Sequence, residues 1–170
     1  MNALNSSCLI EHTTVETGLS YKAAAAAFES SIGRLDPQAA EALRARHAPW
    51  ADVEREMERM AGPSGLMLFT KVDQGAIASL GETQVRCRLY LVGNPAIAAH
   101  IVRIDPRGSF YVPFRVSLYE QTEGAGAVLS FDRPSSFLGV LDQAGLRDIG
   151  LQLDEKIDAV MRRITASSTP

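Results

Sequence analysis

The stretch LYLVGNPAIAAHIVRIDPRGSFYVPFRVSLYE, residues 89–120, decides the fold. It opens inside the alternating run QVRCRLYLV, residues 84–92, where Val85, Cys87, Leu89 and Leu91 share one side and Gln84, Arg86, Arg88 and Tyr90 the other. Period-two alternation predicts a half-buried antiparallel strand. The strand stops at Gly93-Asn94-Pro95, because Asn94 suits a helix N-cap and Pro95 a first turn, where its missing N–H costs nothing. The helix that follows has an apolar stripe of Ile97, Ala98, Ile101 and Ile104, and Asp105-Pro106-Arg107-Gly108 turns the chain back. A second strand then puts Phe110, Val112, Phe114, Val116 and Leu118 inward and Tyr111, Pro113, Arg115, Ser117 and Tyr119 outward. Pro113 cannot donate to a ladder, so this strand is expected at an edge or bulged.

The pattern continues on both sides. Downstream, GAVLSFD after the EGAG turn reads as the hairpin partner, and Asp132-Arg133-Pro134-Ser135-Ser136 repeats the strand-into-proline-helix device. A last helix is expected from about Ile149 to Ile164, with Leu153, Ile157, Val160, Met161 and Ile164 apolar and Asp154, Glu155, Lys156 and Asp158 around them. Upstream, Cys8–Glu16 reads as a first strand and Ser20 as the cap of an alanine-rich helix with Ala24, Phe28, Ile32 and Leu35 on one face. Helices start again at Asp36-Pro37 and Pro49, and LMLFTKV is a compact strand. The sum is one α+β domain over residues 1–170: a mostly antiparallel sheet of about five strands with helices to one side. Residues 36–62 form a helical insert, and residues 1–7 and 166–170 are expected to fray.

Composition narrows the function classes. A net charge of −3 without a Lys/Arg run argues against a nucleic-acid partner. No apolar segment reaches the roughly 20 residues of a spanning helix, and the N-terminus lacks a secretory pattern, so no membrane and a cytoplasmic location are expected. Cys8 and Cys87 stand far apart and read as small core residues in a reducing compartment. His12, His47 and His100 are too scattered for a metal site, and no cofactor motif is present.

Three blocks together, GLMLFTKVDQGAIA, RLYLVGNPAIAAHIVRIDPRGSFYVPFRVSLYE and LSFDRPSSFLG, resemble the bacterial domain-of-unknown-function family numbered 302. The likeness runs from Gly65 to Met161, with a looser match over Cys8–Leu35. It implies a β-α-β4-α type fold, a homodimer and no established activity. Many relatives read Asp-His where this chain has Asp73-Gln74, so no role for that histidine carries over. The helical stretch from Asp36 to Gly62 is longer than a minimal member needs.

The candidate site lies at the two strand-to-helix turns. Free N–H groups at helix starts attract anions. Asn94, Ser135 and Ser136 sit at those starts, and Lys71, Arg115 and Arg133 can supply charge. The same Asn94, Ser135 and Ser136 equally serve to cap their own helices. Asp73 and Asp132 end strands and would act as base and partner if they converged. The expectation is a dimeric module that holds a small anionic ligand near these turns. The alternatives are a small enzyme using Asp73 and Asp132 with Arg115, or a protein-interaction module without a ligand.

Overall fold

A computed structural model describes residues 7–81, 83–122 and 124–166. Six strands form one open sheet in the order β1-β6-β5-β4-β3-β2: β1 His12–Glu16, β2 Gly33–Arg34, β3 Met67–Asp73, β4 Cys87–Gly93, β5 Phe114–Glu120 and β6 Ala127–Asp132. Every pairing is antiparallel except the short β2–β3 contact. The helices are α1 Tyr21–Ser31, α2 Pro37–Ala45, α3 Trp50–Ala61, α4 Gln74–Ala78, α5 Pro95–Ile104, α6 Pro134–Gly139 and α7 Leu146–Ala166. They pack to one side, giving a single α+β domain. Of the ends expected to fray, residues 1–6 and 167–170 lie outside the described residues, and Ala166 still belongs to α7.

The main core lies between the sheet and α1, α5, α6 and α7. Phe28, Tyr90, Val92, Ile101, Val116, Leu118, Leu129 and Leu138 meet Leu153, Ile157, Val160 and Ile164 there, every one of them buried. The last four, with Met161, form the expected stripe of α7, which starts at Leu146, three residues earlier than read from the sequence. A smaller cluster, Leu43, Met57, Met60, Ala61 and Met67, ties α2 and α3 to β3. Gly150 lets α7 approach α6 closely, since a Cβ there would stand 2.5 Å from the Cα of Ser135.

Several local expectations are corrected. In β4 the core side is the reverse of the one read from its alternation: Tyr90 is fully buried, while Cys87, Leu89 and Leu91 are only half-buried on the open face. Tyr90 can go inside because its hydroxyl donates to Glu29 Oε1 at 3.1 Å, which satisfies the one polar atom of a large apolar body. The second strand begins at Phe114, so Phe110 stays outside it in a short 3-10 turn, 85% exposed. Pro113 therefore stands just before a central strand, neither bulging it nor marking an edge. The Val112–Pro113 peptide is cis. Cys8 is exposed rather than core. Asp154, read as part of the wet face of α7, is 3% exposed because it caps α6. The two-residue β2 and the short α4 carry too little pattern to be read in advance.

Candidate functional site

β4 ends, β5 begins, β6 ends and β1 begins at the same end of the sheet. This gathers Asn94, Arg115, Asp132, Arg133, Ser135 and Ser136 around one rim. The two strand-to-helix turns do not follow neighbouring strands, as the sequence reading had it, because β5 lies between β4 and β6. Lys71 and Asp73 lie elsewhere. Lys71 stands opposite Tyr90, and Asp73 closes the far end of β3.

Both helix starts on the rim are already satisfied from within. Asn94 Oδ1 accepts the Ala96 N–H at 2.9 Å, and Nδ2 donates to the Gly65 carbonyl at 3.1 Å. At α6 the buried Asp154 carboxylate accepts from Ser135 N–H at 3.2 Å and Ser135 Oγ–H at 2.5 Å. Arg133 bridges to Asp158 at 2.6 Å and to Asp154 at 3.5 Å. That hydrogen-bonded pair with Asp158 holds the Arg133 guanidinium above its usual range. Ser136 donates to the Arg133 carbonyl and accepts the Glu11 N–H. The capping reading of these residues is therefore the one the geometry fills.

Arg115 differs. It is paired with Leu91 on the open face of the sheet and, one step beyond the Val116–Phe131 pair, stands beside Asp132. It has no hydrogen-bond or ion-pair partner among the described residues. It lines a hollow of about 420 Å³ with Cys8, Ile10, Leu91, Pro113, Phe137 and Asp132. Phe110, Tyr111 and Phe114 complete the wall, and the Tyr111 ring stacks on Phe137 at 5.5 Å with planes 9° apart. On the far side of Asp132, His12 Nδ1 lies 2.8 Å from Asp132 Oδ1. An arginine fork in a mostly apolar, aromatic-walled hollow suits the carboxylate or phosphate of a small molecule.

The Asp73–Asp132 pair does not form. Three strand spacings of about 4.8 Å separate β3 from β6, so the carboxylates are at least roughly 14 Å apart. Asp73 instead caps α4, accepting the Ala76 N–H at 3.0 Å, and approaches Arg88 at 3.6 Å. Lys71 joins Arg34 and Arg88 around Glu29, at 2.7, 3.3 and 3.2 Å. Burial pushes the Glu29 carboxyl up, but hydrogen bonds from Lys71 and Tyr90 and the charges of Lys71 and Arg88 outweigh it, leaving it below the usual range. Burial drives the Tyr90 hydroxyl up to about 12, so it stays a donor to that carboxylate. This cluster anchors α1 to the sheet. Among the described residues no three His, Cys, Asp or Glu side chains converge on a metal position.

The sequence reading missed His12, Ile10, Tyr111 and Phe137. Tyr111 carried the only signal, as an aromatic beside Pro113. Phe137 comes from α6, while Ile10 at the hollow and His12 on Asp132 are brought there by the β1–β6 pairing, which joins residues 120 apart and leaves no local trace.

The chain belongs to the family described as "Domain of unknown function DUF302", whose model matches residues 41–164. That match begins inside the 36–62 helical stretch and leaves out β1 and α1. Among solved structures the chain is similar to an uncharacterized conserved DUF302 protein from Bacillus stearothermophilus. The likeness covers 90% of this chain and 97% of that one, at a TM-score of 0.63 and 13% identity, and speaks for the fold alone. No curated protein matches the chain. No described helix is long and apolar enough to cross a membrane.

Proposed function

We propose that this DUF302 protein is a homodimeric binding module whose ligand is a small anion held by Arg115 in the hollow at the β4–β5–β6 rim. The observation that carries the reading is an unpartnered guanidinium set among apolar and aromatic walls. Arg115 is exposed and has no ion-pair partner among the described residues, so its fork of donors is available to an anionic ligand. The helix starts, with their own caps in place, frame the rim without touching the ligand. Dimerisation is supported by the half-apolar open face of the sheet and by Leu9 and Phe110, 89% and 85% exposed beside the hollow.

The test uses Cys8, an exposed thiol lining the same hollow. In a Cys87→Ser background, Cys8 alkylation is followed with benzoate, citrate, phosphate and short carboxylates, alongside thermal shifts. The expected result is protection by at least one anion, weakened in Arg115→Lys and lost in Arg115→Ala, because an ammonium cannot reproduce a two-pronged contact. Equal protection in Arg115→Ala, or none in the native protein, rejects the site. Light scattering at tens of micromolar checks the dimer, and a strictly monomeric mass rejects it.

One contact favours a second reading, the small enzyme. His12 on Asp132 is an acid–base pair next to the arginine, and it replaces the Asp73–Asp132 arrangement. Turnover of a bound anion that vanishes in His12→Ala, with binding retained, would select this reading over the module.

A further inference from the structure

The hollow around Arg115 has an apolar neighbour. A second cavity, about 370 Å³, is lined by Phe69, Gly93, Ile97, Ala98, Val102 and Val112. The two cavities share Pro113 and Phe114 as a common wall. Of the polar side chains in the second lining, Asn94 has both its amide atoms engaged within the protein, which leaves the Ser109 hydroxyl. Its complement is hydrocarbon.

Register fixes how far apart the two sites are. Arg115 pairs with Leu91, and Gly93 follows two residues later on the same open face of β4. At about 3.4 Å per residue, the arginine row and Gly93, which lines the apolar cavity, are about 7 Å apart along the sheet. Gly93 stands at the junction, where a Cβ would lie 3.5 Å from the Phe69 ring and from Pro113. Glycine leaves that gap between Phe69 and Pro113 unfilled, and any longer side chain would project into it.

We infer that the ligand is an amphipathic carboxylate, its head on Arg115 and its aliphatic tail across Gly93 in the cavity bounded by Phe69, Ile97 and Val102. This inference rests on the anion site proposed above and adds the tail. A small hydrophilic anion would use only the first hollow, and a neutral apolar molecule only the second.

The experiment is isothermal titration of the full chain with straight-chain carboxylates of four, six, eight and ten carbons, with 1-octanol as the neutral control. The expected result is affinity rising roughly fourfold per methylene once the chain is long enough to reach Gly93. Octanoate binding should be lost in Arg115→Ala. Gly93→Val and Ala98→Leu should flatten the chain-length dependence while butyrate binding stays the same. The native series decides the matter even if neither variant folds. Butyrate and octanoate binding equally well would overturn the tail and leave the anion site standing. Octanol binding as tightly as octanoate, unaffected by Arg115→Ala, would overturn the joined site. No binding by any carboxylate would overturn the amphiphile, and the anion reading would then stand or fall on the Cys8 protection assay.

Discussion

Replacing Asn94 with alanine removes two contacts at once. The residue is 8% exposed, and its side-chain oxygen holds the Ala96 N–H while its nitrogen holds the Gly65 carbonyl. Loss of the N-cap costs about 0.5–2 kcal/mol. Loss of the second hydrogen bond adds about 0.5–1.5 kcal/mol, toward the upper end because the Gly65 carbonyl loses a partner in a half-buried turn. The sum is about 1–3.5 kcal/mol, which for a chain of this length lowers the melting temperature by roughly 2–14 °C. Urea unfolding followed by circular dichroism measures it, and Asn94→Asp separates the parts. Aspartate keeps the cap oxygen at a helix start that favours negative charge, but it turns an acceptor toward the Gly65 carbonyl. It should recover less than the whole loss. If Asn94→Ala costs under about 0.5 kcal/mol, or Asn94→Asp matches the native protein, the two-contact account of this turn is refuted.

Glu29 carries the pH prediction. Its carboxyl is held below its ordinary value of 4.5, so the stability it gives is present above that value and is lost as pH falls through the lowered one. Glu29→Gln should be less stable at neutral pH, where Lys71 and Arg88 lose their shared counter-charge, and should lose less on acidification. Parallel native and mutant acid titrations would refute this. Gly150→Ala tests the α6–α7 contact: alanine gains about 1 kcal/mol in helix propensity, but a Cβ 2.5 Å from backbone costs more than that through overpacking. A net loss of stability is expected, and a stabilised variant would show that the helices separate without penalty.

How much could be read in advance depended on sequence distance. Capped helices with a stripe, such as α5 and α7, and the β5–β6 hairpin are local, and their residues announced them. The face of β4 was misread because alternation gives the period without the sign. Leu89 and Leu91 look like core beside Arg88 and Tyr90, until Glu29, 61 residues away, gives the tyrosine hydroxyl a partner. The site was half legible for the same reason. Arg115 and Asp132 stood out as charges at strand ends, but the walls came from the segment before β1, from α6 and from the turn before β5. Asn94, Arg133 and the two serines carried a genuine helix-start signal, and the fold uses it for its own caps.

The sheet order has a consequence for how the chain is made. β1 pairs along its length with β6, and His12 meets a residue 120 positions later. During synthesis the first strand emerges long before its sheet partner β6, and the edge of the sheet closes last. Contacts this far apart are slow to form and leave strand edges open meanwhile. The composition of β1 suits that wait. His12, Thr14 and Glu16 make it a poor template for pairing with another nascent chain. The last stretch to find its place is then the one that brings Ile10 to the ligand hollow and His12 to Asp132, so a chain released before β6 is complete has no finished site.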